Sequence, residues 1–129
     1  MARDVYIFIK TDASPAELVN QLNQWMNWKL SYTKNDYVEW HEQIFREDNF
    51  VITLHKNHLL DDMDIPFERF DYYLDVLDVS DQSYEKWLAW INEVPKSIFL
   101  DLCSLKVWEL MFTIGTQNFV MICNGQGPI

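Results

Sequence analysis

Histidine and aspartate side chains crowd one short stretch of the chain, between His55 and Asp64. Imidazoles and carboxylates are common ligands of divalent metal ions, so such a stretch could hold one. Its spacing fits neither an EF-hand nor a zinc pattern, because the central glycine is missing and Tyr73 stands at the twelfth position counted from Asp62. We therefore predict no metal and no cofactor, and we interpret the stretch as a solvated acidic loop.

Residue types that carry covalent or nucleotide chemistry are scarce. The three glycines form no phosphate-binding loop. Cys103 and Cys123 lie in apolar runs without neighbouring cations, where a thiol is not activated as a nucleophile. A pair of carboxylates such as Glu39 and Glu42 could act as acid and base. In so acidic a chain some pair will approach by chance, and we predict that the protein is not an enzyme.

The negative charge is concentrated in the middle of the chain. The whole sequence has a net charge of −10, and the segment from Asp36 to Asp101 carries −11 by itself, so the two ends together are slightly basic. Many of the aromatic residues fall in the same segment. Such a field repels nucleic acid and anionic lipid and attracts basic surfaces. We expect a basic protein as the partner, with no direct contact to nucleic acid or membrane.

Acidic and aromatic side chains together are typical of a preformed protein-binding surface, in which aromatic anchors supply affinity and charge selects the partner. The strongest single candidate is Tyr73, which strand alternation points to the same side as Asp71 and Asp75. Acids that only keep the protein soluble and aromatics that only fill its core are the alternative. The candidate partner-binding residues are Glu39, Asp61, Asp62, Asp64, Asp71, Tyr73, Asp75 and Asp78.

The elements that must position these residues follow from local patterns. Ser14-Pro15-Ala16-Glu17 has the form of a capping box that opens a helix. A second helix is expected from about Ser80 to Val94, where Pro95 should prevent its extension. Alternating or apolar runs predict strands over residues 3–10, 37–45, 50–55, 70–79, 105–114 and 119–123.

The predicted order is β-α-β-β-β-α-β-β, an α+β fold with a mainly antiparallel sheet and two helices on one of its faces. We expect one domain over residues 1–129, with 124–129 as a loose tail. Residues 70–79 also fit a helix, but their aromatic and β-branched content favours a strand. Residues 98–103 fit either structure.

No apolar run is long enough for a signal peptide or a membrane helix. Cys103 and Cys123 could pair if neighbouring strands carry them, yet two reduced, buried thiols are the preferred interpretation. These features predict a cytoplasmic protein.

In size, charge and α+β order the chain resembles the small immunity proteins that neutralise bacterial toxins, including those of contact-dependent growth inhibition. The most particular stretches are Lys56-Asn57-His58-Leu59-Leu60-Asp61-Asp62 and Phe70-Asp71-Tyr72-Tyr73-Leu74-Asp75-Val76. The resemblance implies tight binding to a basic toxin domain, often a nuclease, and assigns no individual site residue. A nucleic-acid-mimicking inhibitor of a host nuclease is the first alternative, and a small enzyme with a carboxylate or metal site is the second.

Overall fold

A computed structural model of the chain describes residues 4–61, 64–116 and 118–124. It has an α+β architecture, as predicted, with one seven-stranded sheet and helices packed on it. The predicted tail lies outside the described residues except for Asn124, which ends the last strand. The elements in chain order are β1 (Asp4–Lys10), α1 (Pro15–Met26), β2 (Ser31–Lys34), β3 (Glu39–Phe45), β4 (Phe50–Lys56), β5 (Tyr72–Asp78), α2 (Tyr84–Glu93), α3 (Pro95–Ser104), β6 (Glu109–Ile114) and β7 (Asn118–Asn124).

All neighbouring strands are antiparallel, in the order β2-β3-β4-β5-β1-β6-β7. The apolar run Val5–Ile9 forms the strand between β5 and β6, with its side chains alternating between the two sides of the sheet. Ile7 and Ile9 join the cluster beneath the helices, whereas Phe8 joins a second cluster on the other side. An apolar run without polar alternation is what a strand covered on both faces requires, and the strand predicted over residues 3–10 is confirmed as β1.

Among the described residues, three helices, rather than the two predicted, pack on one face of the sheet. Leu18 and Leu22 of α1, Trp87 of α2, and Phe99 and Leu102 of α3 all belong to the same buried cluster. That cluster includes apolar side chains from β1, β4, β5 and β6. Its burial holds the helices to this face, because apolar area removed from water is the main favourable term in folding.

The prediction that Pro95 ends the second helix by blocking its extension is only half right. Helix α2 ends at Glu93, and α3 begins at Pro95 itself, with Val94 between them. Proline lacks only an amide donor that the first turn of a helix leaves unsatisfied, so it is well suited to begin a new helix. Residues 98–103 are therefore helical. The start of α2 is also later than expected, because Ser83 is its N-cap and accepts a hydrogen bond from the amide of Lys86.

Helix α1 begins as the sequence predicts. The amide of Glu17 donates to the Ser14 hydroxyl at 3.3 Å, and the Ser14 amide donates to Oε1 of Glu17 at 3.2 Å. We expect Ser14→Ala to lower the free energy of unfolding by about 1 kcal/mol, because the Glu17 amide loses its hydrogen-bond acceptor at the helix start. Urea denaturation measures this loss. Ser31→Ala, on an exposed edge strand, is the control, and an equal loss in both variants would contradict the capping role.

The two cysteines are joined in a disulfide, which corrects the prediction of two reduced thiols. Cys103 is buried near the end of α3 and Cys123 is buried in β7, and their Cα atoms are 6.1 Å apart. The prediction assumed that only adjacent strands could bring the two together. The segment that carries Cys103 is a helix, and its packing on the C-terminal hairpin supplies the proximity instead.

Candidate binding surface

One side of the sheet carries no helix over β3, β4 and β5. Directly opposed residues in antiparallel strands point to the same side, so the strand register identifies which side chains lie there. Across these three strands, whose residues are all described, the side carries two carboxylates and no lysine or arginine. We call this surface the open face; its residues are Trp40, Glu42, Ile44, Val51, Thr53, His55, Tyr73, Asp75 and Leu77.

Aromatic rings cross the open face from strand to strand. The ring centroids of Trp40 and His55 are 6.1 Å apart, and those of His55 and Tyr73 are 5.1 Å apart, with both pairs stacked. Tyr73 continues the row to Tyr6 of β1, at 5.3 Å and edge to face. We call these four residues the aromatic ladder. Such offset and edge contacts add to the stability gained from burial, so the ladder is a stiff surface.

The chain between β4 and β5 anchors one end of this ladder. Ile65, Phe67 and Phe70 fold over Phe8 and are buried with it in the second cluster, against which Tyr73 packs. The ring centroids of Phe8 and Phe67 are 5.1 Å apart. This small core holds Tyr73 half-buried, so its ring is ordered before any partner arrives.

The carboxyl groups of Asp4 and Asp75 form a pair beside the ladder. Burial, together with a hydrogen bond and repulsion from Asp4, raises the pKa of Asp75 to about 8. Oδ1 of Asp75 is buried and accepts no hydrogen bond from the described residues, which further disfavours the charged form of this group. Burial, followed by the two carboxylates, also raises the pKa of Tyr6. At neutral pH Asp75 therefore keeps a proton and is not a free negative charge.

A groove of about 360 Å³ opens where β3 begins and β4 ends, and most of the strand side chains that line it point to the helix side of the sheet, away from the open face. All three histidines of the chain, His41, His55 and His58, line it. Its walls are mostly aromatic, with one carboxylate and one lysine among them. The remaining lining residues are Pro15, Tyr32, Tyr37, Val38, Glu39, Trp40, Leu54, Lys56, Tyr72 and Tyr73.

Two histidines of this groove are uncharged, and its carboxylate is fixed by a hydrogen bond. Burial lowers the pKa of His55, and burial outweighs the opposing effect of Glu39 to lower the pKa of His41 as well. Both imidazoles are therefore uncharged at neutral pH. Glu39 accepts a hydrogen bond of 2.6 Å from the Tyr32 hydroxyl, which fixes its carboxylate at the rim.

Three of the predicted partner-binding residues meet at this end of the sheet. Glu39 and Tyr73 line the groove. Asp71 lines a smaller polar depression that shares Lys56 and Tyr72 with the groove, and its Oδ2 accepts a hydrogen bond from the Thr11 amide. The strand predicted for residues 70–79 is confirmed as β5, and so is the alternation that points Tyr73 and Asp75 to one side.

The other predicted residues do not join them. Asp78 is buried on the helix side of the sheet, opposite Phe50, where it accepts hydrogen bonds from Ser80 and Gln82. The even-numbered residues of β5 face the helices, so the Asp78 carboxylate is buried and accepts hydrogen bonds within the turn that follows β5. Asp61 and Asp64 are exposed in the connection after β4, and Asp62 lies outside the described residues. Asp78 therefore does not share a side of the sheet with Tyr73 and Asp75.

Sequence reasoning missed the most ordered part of the site. An alternating strand normally buries its apolar side, but Trp40 and Ile44 of β3 lie on the open face, and Ile44 is half exposed. The helices do not cover this side of β3. The alternation of residues within a strand does not show which of its two sides the helices will cover. The edge strand β2 was not predicted either, because its four residues are too few to show a period.

Within the described parts of the chain, no group of three or more histidine, cysteine, aspartate or glutamate side chains is arranged to hold a metal ion. No helix among the same residues has the length and apolar character needed to cross a bilayer. Comparison of the chain with protein-family models, curated proteins and solved structures finds no match.

Proposed function

We propose that this protein is an inhibitor of the immunity type, which binds a basic toxin domain, such as a nuclease, and blocks it. The observation that carries the proposal is the open face, where an ordered aromatic ladder lies among carboxyl groups and none of the residues of that face is a lysine or arginine. Rigid aromatic side chains that lose little entropy on binding are typical interface anchors. The net charge of −10 favours a basic partner and a fast encounter.

Binding fits the geometry better than catalysis does. The group with the most perturbed pKa, Asp75, is paired with Asp4 on the sheet surface, and neither residue lines the groove or the depression beside it. A general acid must reach a substrate held in a fixed position. The pair lacks such a position, so a small carboxylate enzyme is the weaker hypothesis.

A nucleic-acid mimic is also less well supported. Such an inhibitor would present ionised carboxylates in a long row at phosphate-like spacing. Here Asp75 keeps its proton at neutral pH and Asp78 is buried on the opposite side of the sheet. The aromatic ladder, rather than a row of charges, dominates the surface.

The proposal includes the cytoplasmic location predicted from the sequence, because an inhibitor of this kind acts where its toxin acts. In a reducing cytosol the bond between Cys103 and Cys123 would open, since few structural disulfides persist there. The open face lies on β3 to β5 and does not include the disulfide, so the binding surface would not depend on it.

The decisive experiment joins capture to inhibition. Tagged protein is incubated at low salt with lysate of its source cells, and any basic protein bound at equal stoichiometry is purified. Its activity on DNA and RNA is then measured with and without one equivalent of this protein. Loss of nuclease activity at a ratio of 1:1 supports the proposal. A bound protein that stays fully active, or no bound basic protein at low salt, contradicts it.

Ile44 offers a test of the surface itself. It is 50% exposed on β3, at one edge of the open face, so Ile44→Lys should leave the fold intact and place a cation where the partner is basic. We expect affinity for the captured partner to fall roughly tenfold or more. Val107→Lys is the matched control, because Val107 is 51% exposed and lies outside the open face. Equal affinities of the two variants, measured by calorimetry, would show that the partner binds elsewhere.

A further inference from the structure

One edge of the sheet, the strand β2, has backbone groups that point away from its neighbour. It pairs with β3 on one side, and no described strand lies on its other side. The amide of Asn35 donates to the carbonyl of Val38 at 3.0 Å across the turn that joins the two strands. Because hydrogen-bonded pairs alternate along antiparallel strands, Thr33 bonds to β3, whereas the amide and carbonyl groups of Tyr32 and Lys34 point outward.

The fold itself covers part of this edge. Leu30 directly precedes β2, and the Asn23 side chain of α1 bonds to both of its backbone groups. The Leu30 amide donates to Oδ1 of Asn23 at 2.8 Å, and Nδ2 of Asn23 donates to the Leu30 carbonyl at 3.2 Å. A side-chain amide thus takes the place of a neighbouring strand at Leu30. The edge stays open farther along, at Tyr32 and Lys34.

The open part of β2 has few of the features that usually block an exposed edge. Its residues Ser31–Lys34, all described, include one lysine and no proline, and no register shift interrupts the pairing with β3. The side chains of Tyr32, Tyr37 and Val38 are each more than half exposed. Outward backbone groups beside exposed apolar side chains are a template for the addition of another strand.

The charges beside β2 favour a basic strand over a second copy of this chain. Glu39 lies opposite Lys34 on the helix side of the sheet. Glu42 lies opposite Ser31 on the open face. Edge-to-edge pairing of two copies would bring these carboxylates together, and each copy has a net charge of −10. A basic segment is attracted where a second copy is repelled.

We propose that β2 is the docking edge for an extended segment of the basic partner, which adds to the sheet as a further strand. The outward backbone groups of Tyr32 and Lys34 form its hydrogen bonds. The side chains of the added strand alternate between the side of Tyr32 and the side of Thr33, so the bound strand extends the open face beyond β2. The inference rests on the proposed function and adds backbone recognition to it.

The edge can be tested without the partner. The peptide acetyl-Lys-Val-Lys-Val-Lys-Val-amide, which is basic and has a strand-like alternation, is titrated into the protein while backbone amides are observed by NMR. We expect saturable shifts and slower hydrogen exchange at Tyr32 and Lys34, with a dissociation constant on the order of 1 mM. The same peptide with N-methyl groups on its two central residues loses one donor on each edge. It should bind at least about threefold more weakly.

Two variants of one residue isolate the outward amide. Lys34→Pro removes this donor and keeps the pairing with β3, because proline is tolerated on an edge strand where its nitrogen faces solvent. Lys34→Ala is the matched control, since both variants lose the ammonium group and only one loses the amide. We expect Lys34→Pro to bind the peptide at least about threefold more weakly than Lys34→Ala. The N-methylated peptide tests the same hydrogen bonds with the wild-type fold unchanged.

Three results would overturn the inference. Equal binding of the two peptides, or of the two Lys34 variants, would mean that the peptide is held by charge alone. Slower exchange in β7 with no change at Tyr32 and Lys34 would assign binding to the other edge of the sheet. Equal affinity of the two Lys34 variants for the captured basic protein would mean that it docks elsewhere. Inhibition of that protein tests the proposed function separately.

Discussion

Reduction of the bond between Cys103 and Cys123 is expected to lower the free energy of unfolding by about 3 kcal/mol. The bond closes a loop with a sequence separation of 20 residues, and a loop of this length restricts the unfolded chain by about that amount. For a protein of this size the melting temperature should fall by roughly 10 °C. Thermal and urea unfolding of the same preparation, with and without reductant, measure the difference.

The control for this measurement is the double variant Cys103→Ala with Cys123→Ala. It should be insensitive to reductant, although it also carries the cost of two small buried cavities. Mass spectrometry after alkylation of the oxidised, unfolded protein should find no free thiol. Two alkylated cysteines, together with an unchanged melting temperature on reduction, would show that the bond does not form.

Asp75→Asn is expected to stabilise the protein at neutral and alkaline pH. The folded-state pKa of Asp75 lies near 8, well above its ordinary value, so the folded state binds more protons than the unfolded state between about pH 4 and pH 8. Stability from this group is therefore present below pH 4 and is lost as the pH rises to 8. Asparagine resembles the protonated acid and avoids the loss. Above pH 8 we expect a gain of roughly 2–3 kcal/mol, less than full conversion of the shift because Asp75 is coupled to Asp4 and partly reached by water.

The gain should vanish near pH 4, and this pH dependence distinguishes it from a general packing effect. Urea denaturation of wild type and variant at pH 4, 6, 7 and 8.5 gives the profile. Asp61→Asn removes one charge at an exposed position and corrects for the change in net charge. Parallel profiles for wild type and Asp75→Asn would mean that Asp75 ionises normally in the folded state.

The two strands with clear alternation, β3 and β5, show what a pattern can and cannot predict. In both, the division of side chains between two sides follows from the period of two and is correct. In β5 the apolar side is also the helix side. In β3 it is not, because Trp40 and Ile44 point to the open face, on the side opposite the helices. Which side is covered depends on where distant helices pack.

The charges show the same limit. The negative charge of the segment from Asp36 to Asp101 was evident from composition. In the structure, however, Asp75 keeps a proton at neutral pH and Asp78 accepts hydrogen bonds in a turn. His41 and Trp40, which were not candidates, line the groove. A sequence gives the number of carboxyl groups, but the pKa of each depends on burial and on its neighbours. For Asp75 one such neighbour is Asp4, which is 71 positions away in the chain. The capping box of α1 involves only residues three apart, and it was predictable in full.

The position of β1 in the middle of the sheet has a consequence for synthesis. Val5–Ile9 pairs on one side with β5 and on the other with β6, about 65 and 105 positions later in the chain. At about 5–20 residues per second, a ribosome needs several seconds or more to deliver both partners. Until β5 emerges the apolar strand has no neighbour, and until β6 emerges one of its edges stays unpaired. Cells should therefore need a chaperone for nascent chains that stop before Glu109, and such chains should aggregate when none is present.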